Sequence, residues 1–147
     1  MDVFYIFLAF LAGACAPTQA GINSQLRLWT NDPVLAAMVS FAVGTMALFL
    51  YVLLLRTPWP APKALYCSPW WVWTGGLLGA FLVAVTVILA PELGAGTMMG
   101  MMVAGQMTAG IVLDHFGVVG YEEHSMNIWR CFGAILVVSG VVIIKRF

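Results

Sequence analysis

Two stretches of the chain leave very little freedom. From Trp70 to Pro91 there is no ionisable side chain, and the run that follows the Pro91-Glu92-Leu93-Gly94-Ala95 turn has none before Asp114. An apolar run longer than about 18 residues is a membrane span rather than a buried core helix. The expected helices here are 70–90 and 96–116, joined by that short Gly- and Pro-marked turn. Inside them lie Trp70, Trp71 and Trp73, the glycines Gly75, Gly76 and Gly79, a methionine cluster and Gln106, which a merely lipid-facing helix does not need.

Composition closes the soluble alternative. The chain is 63% hydrophobic and 8% charged, whereas a soluble domain carries roughly 25% charged residues to cover its surface. A length of 147 residues leaves room for about five spans of ~20 residues and almost nothing else. The expected fold is an all-α integral membrane domain over 1–147, with helices at 3–28, 33–55, 70–90, 96–116 and 128–144. Net charge is zero and no basic patch is present, so nucleic acid is excluded as a partner. Cys15, Cys67 and Cys131 have no metal-ligand spacing and read as small apolar residues. Neither metal nor cofactor is expected. No nucleophile–base pair or phosphate loop appears, so an enzyme is not expected.

In the first span, Leu11-Ala12-Gly13-Ala14-Cys15 loosely resembles a lipidation signal, but Asp2 stands where such a signal needs positive charge, and cleavage is not expected. Cys15, Gln19, Asn23 and Arg27 recur every four residues and share one helix face. Pro17 removes a backbone hydrogen bond and should kink this helix, freeing a carbonyl near Gln19. Asn31-Asp32-Pro33 is a helix start. Ala36, Ser40 and Gly44 then form a small-residue stripe that admits a close neighbour. The loop 56–69, rich in proline, reads as an extended connection.

Trp70 and Trp73 suit an interfacial belt. Trp71 shares a face with Gly75 and Gly79 and is expected to point into the bundle. In the fourth span, Gly96, Gly100, Ala104 and Thr108 make a small-residue stripe, and Gln106, Gly110 and Asp114 a polar one beside it. Gly133 and Gly140 mark a packing seam in the fifth. The loop 117–127 reads as solvated.

An amide left unpaired in a span costs several kcal/mol, so Gln19, Asn23 and Gln106 require partners. They either bond between helices, at about 0.6–2 kcal/mol each, or line a water-accessible cavity that binds a polar solute. No carboxylate lies deep in a span, which weakens a proton-coupled cation carrier built around a central acid. Basic residues divide evenly for an odd number of spans: Arg56, Lys63 and Arg130 fall on one side, and Arg27, Lys145 and Arg146 on the other. Orientation normally follows a cytoplasmic excess of Lys and Arg. Without one, the chain is expected to insert both ways and assemble as an antiparallel homodimer, an inverted repeat made of two chains.

The order Pro17-Thr18-Gln19-Ala20-Gly21-Ile22-Asn23, then Phe41-Ala42-Val43-Gly44-Thr45, then Trp70-Trp71 with Gly75-Gly76-Leu77-Leu78-Gly79-Ala80 resembles the YdcZ-type family of short five-helix membrane proteins. Pro91-Glu92-Leu93-Gly94, Gly105-Gln106 and Leu113-Asp114-His115-Phe116-Gly117 continue the match over nearly the whole chain. That family belongs to the drug/metabolite transporter superfamily and is related to the small multidrug resistance proteins, whose first-helix glutamate this chain lacks. The resemblance implies a bacterial inner-membrane protein forming half of a ten-helix transporter. It carries site roles to Pro17, Gln19, Asn23, Trp71, Gln106 and Asp114. The expected function is transport of a small polar or amphiphilic solute by alternating access. The rivals are an assembly protein whose amides only join helices, and a passive channel.

Overall fold

The computed structural model describes residues 2–147; Met1 lies outside them. The described chain is all helical, with no β-strand: α1 (Asp2–Thr30), α2 (Pro33–Leu54), a short α3 (Pro62–Tyr66), a 3-10 turn (Trp70–Trp73), α4 (Thr74–Leu93), α5 (Ala95–Phe116) and α6 (Ile128–Arg146). Five of these stretches are long and apolar enough to cross a membrane, the third being the 3-10 turn with α4. Large apolar side chains along all five are exposed, as they are when the surrounding solvent is hydrocarbon and apolar surface needs no covering.

The helix ends follow from local chemistry. Asp32 caps α2 by accepting from the Leu35 amide at 2.8 Å, with Pro33 in the first turn. Asn127 caps α6 by accepting from the Arg130 amide at 2.9 Å. Gly117, at φ 57° and ψ 34°, ends α5 in the left-handed conformation. The Val118 amide then reaches the Leu113 carbonyl and the Gly117 amide that of Asp114, both at 3.3 Å, which is the Schellman closure.

Four expectations change. Helix α4 does not stop at Ala90 but runs through Pro91 to Leu93. A proline near a helix end displaces few following hydrogen bonds, and it is Gly94, at φ 73°, that turns the chain. The tryptophan run begins as a 3-10 turn after Pro69, and its three residues per turn alter the face that Trp71 shares with the glycines. The loop 56–69 is not wholly extended, because α3 forms within it. Finally, in a helix that continues through Pro17, the carbonyl that Pro17 cannot bond is that of Gly13, four residues back, rather than one beside Gln19.

Two compact units make up the chain, Met1–Pro17 with Glu92–Phe147, and Thr18–Pro91. Both divisions fall at a proline inside a helix. In the first unit, α5 packs against α6. Gly100 makes the closest approach: a β-carbon there would lie 2.8 Å from one methyl of Val141 and 3.0 Å from the other. Gly96 faces Ile144 at 3.6 Å, whereas Gly133 and Gly140 meet open space. In the second unit, Gly79 faces the Phe41 ring at 3.7 Å, and Gly44 and Gly75 meet open space.

This difference among glycines is testable. Gly100→Ala should destabilise the α5–α6 pair by about 1–3 kcal/mol through overpacking against a stiff β-branched neighbour. Combining it with Val141→Ala should recover most of that loss, and Gly133→Ala should be neutral. Thermal unfolding of the purified protein in detergent, followed by circular dichroism, distinguishes the three.

Candidate functional site

The first unit carries the densest polar chemistry, at one end of the α5–α6 hairpin. Asp114 lies in the last turn of α5, and its carboxylate pairs with the Arg130 guanidinium at 2.9 Å. The other terminal nitrogen of Arg130 donates to the His124 carbonyl at 3.1 Å. The Asp114 carbonyl accepts from the His124 amide at 2.8 Å, and the His115 Nδ1 accepts from the Met126 amide at 3.2 Å. That last bond requires the His115 Nδ1 to carry no proton. The loop 117–127 is thus exposed, yet stitched at both ends to the helices it joins.

Each member of this ion pair sits at the wrong end of its own helix. A cation is disfavoured in the first turn, where helix amides point outward, and an anion in the last turn, by about 0.3–1 kcal/mol each at exposed sites. Arg130 is in the first turn of α6 and Asp114 in the last turn of α5. Helix electrostatics alone would place them the other way round. What offsets the penalty is the pair itself, together with the two carbonyls that bind the hairpin.

Beside the pair is a cavity of about 290 Å³, lined by Gln106, Met107, Gly110, Ile111, Asp114, Arg130, Gly133 and Ala134. Gly110, Gly133 and Ala134 keep it open by having little side chain. Gln106, Gly110 and Asp114 are four residues apart, so they run along one face for about 12 Å at 1.5 Å per residue. Asp114 and Arg130 remain 27% and 32% exposed, respectively. Among the described hydrogen bonds, the Gln106 amide and the Oδ1 of Asp114 take part in none. Gln106 is also exposed, near the middle of its span.

A larger groove of about 630 Å³ runs along Met101, Ala104, Gly105, Thr108, Ala109, Val112, Leu113 and Val138. Its one hydroxyl, on Thr108, is already bonded to the Ala104 carbonyl at 2.8 Å. Without a free polar group it has nothing with which to select a polar solute, and its size does not make it the better site.

In the second unit, Gln19 lines a cavity of about 200 Å³ with Ser40, Phe41, Gly44, Thr45 and Leu48. Asn23, one turn further on, is 3% exposed, and its Nδ2 has no hydrogen-bond partner. An unmet buried donor costs about 1–3 kcal/mol, so this one marks a place where an acceptor belongs. Trp71 is 46% exposed, less than Trp70 at 79% or Trp73 at 59%, and lines none of these cavities. The structure therefore brings Gln106 and Asp114 to one cavity, and Gln19 and Gly44 to another. Arg130, which sequence reasoning counted only as a topological charge, joins the first pair. A basic residue in a helix's first turn, just after a loop that an aspartate precedes, was the available signal.

Comparison with known proteins points to the inner membrane. The family model described as "Putative inner membrane exporter, YdcZ" matches residues 4–143. The chain is 30% identical over 141 residues to "Inner membrane protein YdcZ" of Escherichia coli (strain K12), covering 95% of this chain and 94% of that one. No solved structure matches the chain.

The geometry predicts that Arg130→Gln and Asp114→Asn each destabilise the hairpin, and that a double-mutant cycle yields about 1 kcal/mol of coupling, as befits a partly exposed pair. Exchanging the two, Asp114→Arg with Arg130→Asp, should be more stable than either single variant, because the pair is kept and each charge then matches its helix end. Thermal midpoints of the four variants measure both.

Proposed function

Since the chain belongs to the YdcZ family of inner membrane exporters, we propose that it is a secondary transporter of a small polar or amphiphilic solute, working by alternating access as an antiparallel homodimer. The inner membrane is its location, and its five apolar helices are the spans. The family is one of exporters rather than enzymes.

The observation that carries the reading is Gln106. An amide exposed near the middle of a span, with no hydrogen bond among the described residues, is expensive in hydrocarbon. It needs another helix to cover it or water in a solute path to bathe it, and a transporter dimer supplies both. The unpartnered Asn23 donor and the Gln19 cavity support the same reading. An odd number of spans in each chain, with basic residues balanced at three on each side, allows two oppositely inserted copies to form the inverted repeat on which many carriers are built. In that arrangement Gln19, Asn23, Gln106, Asp114 and Trp71 contribute to binding, and the solute passes between environments as the two copies rock against each other.

Orientation in native membranes tests the dimer directly. With the native cysteines removed and a single cysteine placed at either terminus, an impermeant thiol reagent should label about half of each population from outside. Labelling of one terminus alone would overturn the antiparallel homodimer. Water access supplies a second check: Asn23→Cys and Gln106→Cys should react with a membrane-permeant thiol reagent. Complete protection of both would favour the assembly protein whose amides only join helices.

A further inference from the structure

The cavity between α5 and α6 combines three features that together specify a chemical class. Its polar end holds one full positive and one full negative charge 2.9 Å apart, both partly open to it. Its walls are otherwise Met107, Ile111 and small residues, and its far end is the Gln106 amide. The charges stand where helix electrostatics disfavour them, and a locally unfavourable arrangement that persists is expected at a functional site.

We propose that this cavity binds the zwitterionic head of an amphiphile, an ammonium and an oxyanion a few ångströms apart on an apolar body, with Asp114 and Arg130 as its two recognition groups. This specifies the substrate class within the transport reading above and rests on it. A solute of one sign is attracted by one member of the pair and repelled by the other at nearly equal distance, so little is gained. A zwitterion meets both with favourable sign. Its ammonium takes the Oδ1 of Asp114, the carboxylate oxygen outside the ion pair. Its oxyanion takes an edge of the guanidinium left open beside the bonds to Asp114 and the His124 carbonyl. The body lies over Gly110, Gly133 and Ala134, and a polar atom at its tail can reach Gln106. A volume of about 290 Å³ is at the small end of ligand cavities, roughly 300–1,000 Å³, which suits a free amino-acid-sized molecule or a phospholipid headgroup.

The test uses three molecules of matched size: L-phenylalanine as zwitterion, 2-phenylethylamine as cation and 3-phenylpropionate as anion. Each is titrated into the full-length protein in phosphatidylglycerol nanodiscs by calorimetry at neutral pH. Phenylalanine should bind about tenfold or more tightly than either analogue, a difference of about 1.4 kcal/mol or more. Arg130→Gln and Asp114→Asn should each weaken it by a similar factor. The thermal midpoint of each variant, read in the same nanodiscs, controls for folding. Nanodiscs containing phosphatidylethanolamine separate the two sources of the chemistry. Suppressed phenylalanine binding there identifies the lipid headgroup as the occupant, and undiminished binding a free solute. Equal affinity for either singly charged analogue, indifference to both single variants, or no binding of any probe would overturn the proposal. Counterflow in proteoliposomes separates its failure from that of the transport reading. Binding without counterflow of any solute removes transport and keeps the site, whereas saturable counterflow of a solute without zwitterion binding does the reverse.

Discussion

A backbone that crosses hydrocarbon has no solvent to satisfy its amides and carbonyls, and the whole chain is arranged around that shortage. Five spans close their own ladders, and the groups left over at their ends are met by near neighbours in sequence. Asp32 and Asn127 take up first-turn amides, while the Gly117 closure takes up last-turn carbonyls. Several hydroxyls are handled as locally: Thr74, Thr86 and Thr108 each bond a carbonyl three or four residues back, as does Ser68 outside the spans. None of these requires anything from outside its own helix.

The amides differ. An asparagine or glutamine side chain brings two donors and two acceptor lone pairs, more than one spare carbonyl can absorb. Gln106 has no described hydrogen bond and Asn23 has an orphaned donor. The contrast between these hydroxyls, turned back on their own backbone, and the amides left unmet separates polarity that serves folding from polarity available to a ligand or a second chain. The ion pair belongs to both groups. It ties the hairpin together, and it also places two charges beside a cavity at some cost to each helix.

How far this was legible in the sequence depended on the range of the interaction. The five spans follow from uninterrupted apolar runs, and the start of α2 from Asn31-Asp32-Pro33, because such signals are local. The end of α4 was misread, since Pro91 looks like a stop when Gly94, three residues on, is where the backbone turns. Gly96 and Gly100 could be named from their spacing, but not which of them meets a neighbour most tightly, because that depends on Val141 in another helix. Gln106 and Asp114 were visible as a stripe. Arg130 was not, since its role arises only when a hairpin brings together two residues 16 apart.

The neutrality of that pair has an electrical consequence. Moving one elementary charge across the full membrane potential involves about 2.3 kcal/mol for every 100 mV. Asp114 and Arg130, joined at 2.9 Å, travel as a unit with no net charge, so the potential performs almost no work on the pair in whichever sense the chain lies. A bound molecule that is itself net neutral would leave that balance intact. Displacement of the pair itself is therefore electrically silent: its energetics depend on packing and solvation and not on how strongly the cell is energised.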